Sequence, residues 1–339
     1  MTATRTLFIG GTGIISSACV ARAVEQGHAV TVLTRGVSTH RPLAEGVEVV
    51  HGDIRNPESV REALRGRTFD VVAEFVAFTP EHVVTDLELF EGRVGQYVFI
   101  SSASAYQTPP ARMPVLESTP LRNPFWQYSR DKIASEDLLV AAYRERGFPA
   151  TIVRPSHTYD RTLIPTSGGW TDIDRMLRGA PVVVHGDGTT QWTITHNTDF
   201  AVAFVGLLAR PQAVGEAFHI TSDEAPTWDQ IYRWLGAAAG VEPELVHVAS
   251  ETIAAAIPDL GPGLLGDKAH SMVFDNRKVK SLVPEFQAAT PFVRGAQEIV
   301  EWYLSDPARQ VINPELDASF DRLVAHARSI ELLPSYAGQ

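Results

Sequence analysis

The chain has 339 residues, of which 44% are apolar and 20% are charged, and this composition is typical of a folded globular protein with a large core. Its 29 basic and 40 acidic residues give a net charge of −11, which disfavours nonspecific binding to nucleic acid or to anionic membranes. The single cysteine, Cys19, excludes an internal disulfide and any multi-cysteine metal site. No metal-ligand spacing links His185, His196 and Asp199, so we predict no metal. No signal-peptide pattern and no membrane-length apolar stretch is found, and we therefore expect a cytoplasmic protein.

Strands alternate with helices through the first half of the chain. Strands are predicted at 6–9, 29–33, 47–50, 70–76, 97–101 and 150–154. Helices are predicted at 14–26 and 55–64, and on both sides of the fifth strand. This alternation implies right-handed crossovers and a parallel sheet covered on both faces.

Beyond Pro155 the pattern becomes irregular and rich in Gly, Pro, Trp and Thr. We therefore predict a Rossmann-type, doubly wound α/β fold with a smaller, interleaved C-terminal substrate-binding domain. The predicted dinucleotide-binding domain covers 1–165, and 190–222 return to it. The predicted substrate-binding cap covers 166–189 and 223–310, and a helical tail covers 311–339.

A glycine-rich turn, Gly10 to Gly13, joins the first strand to the first helix. Glycine at this junction lets the backbone approach a pyrophosphate, which then contacts the N–H groups at the start of the helix. Ser16 replaces the third glycine of the usual spacing and is small enough for close helix packing. The residues predicted to bind the dinucleotide here are Gly10, Thr12, Gly13, Ile14 and Ile15.

The ends of the second and third strands bear on the choice of cofactor. A ribose 2′-hydroxyl is normally held by a carboxylate after the second strand, but this chain has Arg35 there, and a guanidinium suits a 2′-phosphate. We therefore predict NADP, with NAD as the alternative if Arg35 only stacks on adenine or faces solvent. Asp53 and Ile54 follow the third strand, and Asp53 is predicted either to contact the adenine amino group or to cap the next helix.

Tyr128 and Lys132 form the most informative pair in the sequence. The chain uses arginine for 25 of its 29 basic residues, and Lys132 is the only lysine among the first 267 residues. On a helix, residues i and i+4 lie on one face, so the phenol and the ammonium point into the same space. A nearby cation favours the phenolate, which predicts a lowered pKa and a proton-transfer group. The alternative is a solvated helix face with an accidental spacing.

These features occur in a fixed order with other segments, and together they resemble the extended short-chain dehydrogenase/reductase family, also called the NAD-dependent epimerase/dehydratase family. The further matching segments are Phe99 to Tyr106, Val153-Arg154-Pro155, Gly186-Asp187-Gly188, His196 to Asp199 and Glu301-Trp302-Tyr303.

The resemblance implies a role for each of five residues. It implies that Tyr128 is the general acid/base, and that Lys132 lowers the pKa of Tyr128 and holds the nicotinamide ribose. It implies that Ser102 contacts the reacting oxygen, with Ser101 and Ser104 as nearby candidates. The backbone at Val76 and Pro155 is expected to border the cofactor.

Two departures from the family pattern argue against particular reactions and substrates. Ala103 and Ser104 follow Ser102 where sugar-nucleotide dehydratases carry Asp and Glu, so a dehydratase is not expected. Trp192 stands where many epimerases have an arginine that clamps a diphosphate, and it is predicted either to stack on a substrate ring or to be a core aromatic. Other arginines that offer a clamp are Arg154, Arg161 and Arg175.

We therefore predict an NAD(P)-dependent oxidoreductase that moves hydride between nicotinamide and a carbinol or carbonyl of a sugar-like or other polyhydroxylated small molecule. Ser104, His157 and Trp192 are the predicted substrate contacts. The alternatives are a sugar-nucleotide epimerase and a non-catalytic NADP-sensing or RNA-binding protein of the same fold. We expect neither nucleic-acid nor membrane partners, and we expect a homodimer formed through helices at 80–91 and 126–146.

Overall fold

The structure is a computed structural model, and it describes residues 3–37 and 41–331. Residues 1–2 and 38–40 of the predicted first domain and 332–339 of the predicted tail lie outside the described residues. The strands are β1 Arg5–Ile9, β2 Ala29–Thr34, β3 Glu48–His51, β4 Val71–Glu74, β5 Gln96–Ile100, β6 Ala150–Pro155, β7 His157–Tyr159, β8 Val182–His185, β9 Ile194–His196, β10 Ala217–Ile220 and β11 Leu245–Val248.

The described helices are α1 Ile14–Glu25, α2 Pro57–Ala63, α3 Pro80–Phe90, α4 Gln127–Arg146, α5 Trp170–Leu177, α6 Asn197–Leu207, α7 Trp228–Ala238, α8 Ser250–Ala256, α9 Gly261–Gly263, α10 Arg277–Leu282, α11 Phe292–Leu304 and α12 Pro314–Glu331. A π-helical turn, Leu264–Lys268, follows α9 directly and is called the π-turn below. None of the described helices is both long and apolar enough to cross a membrane.

A seven-stranded parallel sheet has the order β10-β6-β5-β4-β1-β2-β3. The first six strands follow the order of the Rossmann fold, which confirms the predicted fold class. Side chains alternate between the two faces of β1: Phe8 packs with the face covered by α1 and α6, and Leu7 and Ile9 pack with the face covered by α3 and α4. Both faces are therefore buried, as a parallel sheet requires.

The C-terminal half has a second core built around Trp170, Ile173, Trp228 and Ile299, next to the β8–β11 pair. Helix α12 packs Phe320 and other apolar side chains on this pair. The strand β10 belongs to the main sheet, and α6 packs on α1. On this packing we propose the predicted division into a dinucleotide-binding domain and a cap.

Candidate active site

The carboxyl ends of the central strands open onto a cavity of about 630 Å³, called the main cavity. A neighbouring cavity of about 570 Å³ lies past the ends of β2 and β3 and shares Gly10, Thr12, Val76 and Phe78 with the main cavity. The predicted residues that line the main cavity are Gly10, Thr12, Gly13, Ile14, Ile15, Val76, Ser102, Ser104, Tyr128, Lys132, Pro155, His157 and Trp192. Arg35, Asp53 and Ile54 line the neighbouring cavity. The two cavities thus form one crevice.

The glycine turn has the shape that a bound pyrophosphate requires. Gly10 has φ +80°, and a Cβ at this position would lie 2.6 Å from Cγ1 of Val76, so only glycine fits there. Helix α1 begins at Ile14, and the first N–H groups of a helix have no partner within it, so they offer donors and a positive dipole end to an anion. The backbone N–H of Gly13 donates to Oγ of Ser16 at 2.9 Å, which orders the turn. These residues fit a dinucleotide.

The neighbouring cavity is lined by the residues that were predicted to bind the adenosine half of the dinucleotide. Arg35 is exposed at its rim and has no ion-pair partner among residues 3–37 and 41–331. Asp53 accepts a hydrogen bond from the backbone N–H of Arg55 at 3.0 Å, and α2 is capped by Asn56. The alternative that Asp53 caps this helix is therefore wrong. Asp53 lies beside Ile54 in the cavity wall, and its adenine contact stays a prediction.

Lys132 is 1% exposed and lines the main cavity. Its Nζ donates to the carbonyl oxygens of Ala77 at 2.6 Å and Ile100 at 2.7 Å, and it lies 4.7 Å from the ring centroid of Phe99. Burial lowers the pKa of Lys132 to about 8, against the raising effect of the Glu74 carboxylate. The ammonium form is therefore dominant only below about pH 8.

Tyr128 lies on the first turn of α4, against the main cavity. Burial raises the pKa of its phenol, the Ser102 hydroxyl lowers it in part, and the charge of Asp267 raises it further. Burial therefore decides the net direction of the change in this pKa. Nζ of Lys132 lies 5.7 Å from the ring centroid of Tyr128, and a lowering effect of Lys132 on the phenol stays a prediction. At neutral pH Tyr128 is a protonated phenol and can donate its proton.

The serines that follow β5 form a hydrogen-bonded chain. Oγ of Ser102 accepts from the backbone N–H of Ser104 at 3.1 Å and lies 2.8 Å from Oγ of Ser104. Ser129, from the first turn of α4, donates to Oγ of Ser104 at 2.8 Å. Ser101 instead donates to the buried carboxylate of Glu136. Ser102 is therefore the serine whose hydroxyl is available to Tyr128, and Ser104 holds Ser102 in place.

Two of the predicted substrate contacts differ in what they present to the main cavity. Trp192 is only 2% exposed, and its ring lies 4.7 Å from that of His157 and 4.6 Å from that of Trp228. The prediction that Trp192 stacks on a substrate ring is therefore not supported, and the core-aromatic alternative fits. Burial lowers the pKa of His157 to about 3, so this imidazole is neutral, and its buried Nε2 has no hydrogen-bond partner among the described residues.

The arginines proposed as diphosphate clamps are engaged elsewhere. Arg154 forms a buried ion pair with Glu136 at 2.5 Å. The side chain of Arg175 is fully buried and bonds to Asp317 and to Asp321. Arg161 is exposed outside the main cavity. Within the described ranges, no arginine lines the main cavity, so the clamp that the sequence left open is missing there.

Four cavity or supporting residues escaped the sequence analysis: Asn123, Trp126, Asp267 and Lys268. The Asn123 amide is 2% exposed; it donates to the carbonyl of Ser104 at 2.8 Å and to that of Gly266 at 2.7 Å, and it accepts from the backbone N–H of Trp126 at 3.1 Å. It thus joins the serine segment, the cap and the start of α4. Lys268 is the second of only four lysines, so the rarity that identified Lys132 also marked Lys268.

Comparison with known proteins gives one family and several relatives. Residues 6–221 match the model of the family described as the NAD dependent epimerase/dehydratase family. The chain is 27% identical to 2′-dehydrokanamycin reductase of Streptomyces kanamyceticus over 335 residues, 97% of this chain and 92% of that protein. It is 28% identical to the chloroplast stem-loop binding protein of 41 kDa b of Arabidopsis thaliana over 257 residues, 71% of this chain and 65% of that protein.

Among solved structures, UDP-glucose 4-epimerase of Thermotoga maritima with UDP-glucose superposes with a TM-score of 0.72 and 21% identity, covering 89% of this chain and 99% of that chain. At this identity the likeness shows the fold.

Proposed function

Because the chain belongs to the NAD dependent epimerase/dehydratase family, we propose that it is an NADP-preferring reductase of a sugar-like or other polyhydroxylated ketone, with Tyr128 as the proton donor. The observation that carries this proposal is the meeting of Tyr128, Ser102 and Lys132 in one cavity with the glycine turn. The family itself supports an NAD(P)-dependent oxidoreductase or epimerase.

The residues of the main cavity can supply the proton and the hydrogen bond that carbonyl reduction needs. A bound, reduced nicotinamide supplies the hydride. The substrate oxygen gains negative charge as its carbonyl carbon is reduced, and the protonated phenol of Tyr128 gives its proton to that oxygen. The hydroxyl of Ser102 donates to the same oxygen and stabilises its charge. Burial keeps the pKa of Tyr128 above its ordinary value, so the phenol carries the proton that reduction needs at neutral pH.

NADP is proposed on the charge at the end of β2. The exposed guanidinium of Arg35 lines the neighbouring cavity, and a dianionic 2′-phosphate would pair with it. Asp53, the carboxylate in that cavity, already accepts a hydrogen bond from the N–H of Arg55.

No arginine among the described residues lines the main cavity, and this favours a substrate without a diphosphate. A diphosphate held away from water needs paired cations, and the described cations that line this cavity are Lys132 and Lys268. Lys132 already donates to two backbone carbonyls, and Nζ of Lys268 lies 3.9 Å from Asp267. The similarity to 2′-dehydrokanamycin reductase over 97% of the chain points the same way. Sugar-nucleotide epimerisation is therefore the weaker hypothesis.

The proposal is tested by following NADPH and NADH at about 340 nm with sugar-like ketones and sugar nucleotides, together with the product mass. Cofactor consumption identifies a reductase, and an isomerised product without consumption identifies an epimerase. Tyr128→Phe is expected to keep NADPH binding within about twofold and to lower turnover by about 100-fold or more, since it removes only the proton donor. Turnover within a few-fold of wild type would refute the role of Tyr128.

RNA binding is a second candidate, favoured by the similarity to a chloroplast stem-loop binding protein. The net charge of −11 opposes it, because RNA affinity depends on neutralising phosphates. A gel-shift titration with a stem-loop RNA at two salt concentrations tests this candidate. Micromolar binding that weakens steeply with salt would establish it.

A further inference from the structure

We propose that Asp267 and Lys268 on the π-turn, together with Trp126, form a subsite that recognises a sugar-like ring by two adjacent polar substituents, at least one of them a hydroxyl. This inference rests on the proposed reductase function, because the subsite shares the main cavity with Tyr128. All three side chains line that cavity.

The π-turn packs closely against the start of α4, the helix that carries Tyr128. A Cβ at Gly266 would lie 2.9 Å from Cβ of Trp126, so a glycine is needed for this close contact. The carbonyl of Gly266 accepts from the Asn123 amide at 2.7 Å. Trp126 in turn lies next to Tyr128, with 4.9 Å between their ring centroids. The residue after Gly266, Asp267, is therefore carried to the side of the proton donor.

Two buried rings fix the far end of the π-turn. The backbone carbonyl of Lys268 accepts from Nε2 of His185 at 3.0 Å and from Nε1 of Trp228 at 3.1 Å. Burial lowers the pKa of His185 to about 4, so the ring is neutral and its Nε2 carries the donated proton. A π-turn leaves backbone groups outside the regular helical pattern and is frequent at functional sites. Here the carbonyls of Gly266 and Lys268 are both held, which fixes the backbone that carries the two charged side chains.

The subsite places a hydrogen-bond acceptor, the Asp267 carboxylate, beside a hydrogen-bond donor, the Lys268 ammonium, and this pair determines which substituents it can bind. The Asp267 carboxylate lies 3.9 Å from Nζ of Lys268, and its one hydrogen bond among the described residues is a long one of 3.4 Å from Nε1 of Trp192. Asp267 can accept from a hydroxyl or an amine, whereas Lys268 must donate to an oxygen. The half-buried face of Trp126 suits the C–H groups of a saturated ring. The two charges offset each other, which suits a hydroxylated ring better than a phosphate.

The test compares three ketones in the NADPH assay. Cyclohexanone carries no polar substituent, 2-keto-myo-inositol carries adjacent hydroxyls, and 2′-dehydrokanamycin carries hydroxyl and amino groups. The variants are Asp267→Asn and Lys268→Met, and the matched control is Asp259→Asn, an exposed acid on the same cap segment. NADPH affinity, measured by fluorescence titration, reports whether each variant is folded and holds its cofactor.

Wild type is expected to prefer at least one substituted ketone over cyclohexanone. Asp267→Asn and Lys268→Met are expected to lower kcat/KM for that ketone by about 10- to 100-fold, mainly through KM. Lys268→Met is expected to leave kcat/KM for cyclohexanone within about threefold. Asp267→Asn also removes a charge that acts on Tyr128, so its loss on the substituted ketone is compared with its loss on cyclohexanone and is expected to be about tenfold larger. The preferred ketone shows whether the second substituent is a hydroxyl or an amine.

Two outcomes overturn this inference and leave the reductase intact: a wild type without preference for substituted rings, or variants that lose activity on all ketones equally. If wild type oxidises NADPH with none of the three, the proposed function fails and the subsite fails with it.

Discussion

Lys132 gives the sharpest quantitative prediction. Burial lowers its pKa from 10.5 to about 8, and a shift of about 2.5 units corresponds to about 3 kcal/mol of differential interaction between the charged and neutral forms. The side chain is 1% exposed, so solvent screening does not reduce this figure much. Between about pH 8 and 10.5 the unfolded chain binds more protons at this site than the folded one, so this group makes the protein more stable as pH rises through that window.

The chain has only four lysines, so a protein labelled with ¹³C at the lysine Cε gives few signals, and Lys132→Met identifies the one that belongs to Lys132. We expect that signal to titrate with a midpoint near pH 8. The unfolding free energy of wild type minus that of Lys132→Met should rise by up to about 3 kcal/mol between pH 7 and 11. If reduction needs the ammonium form, wild-type kcat/KM falls about tenfold per pH unit above pH 8. A midpoint above pH 10 would contradict this account of burial.

Three further predictions concern the cofactor and the framework. Arg35→Ser should weaken NADPH binding about tenfold and leave NADH binding unchanged in fluorescence titrations, and equal losses for both would remove the 2′-phosphate argument. Glu136→Gln leaves the buried Arg154 without a counter-charge and should lower the unfolding free energy in urea by about 3–5 kcal/mol, whereas Glu62→Gln, at an exposed ion pair, should cost under about 1 kcal/mol. Asn123→Ala should lower the unfolding free energy by about 2–5 kcal/mol, since the carbonyls of Ser104 and Gly266 lose their donor. A decrease below about 1 kcal/mol would show that the backbone around residue 123 finds other partners for these carbonyls.

The sequence by itself determined those features that depend on neighbours along the chain. Apolar strand runs, the glycine turn at residues 10–13 and the four-residue spacing of Tyr128 and Lys132 are local. They predicted the parallel sheet and the turn that joins its first strand to the first helix. The ordered set of motifs predicted the family, which the match over residues 6–221 confirms. Local patterns sufficed here because the positions of strand ends in a parallel sheet follow from its topology.

Only the tertiary structure decided what burial and long-range contacts do to each side chain. The raised pKa of Tyr128 depends on its burial and on Asp267, which is 139 residues away in sequence. Trp192 is buried because two rings from other segments pack against it, and Arg154 forms a buried ion pair with Glu136. The approach of the π-turn to α4 depends on the packing of the cap, which no local pattern encodes. Desolvation and contact partners are properties of the folded chain, and a linear spacing cannot supply them.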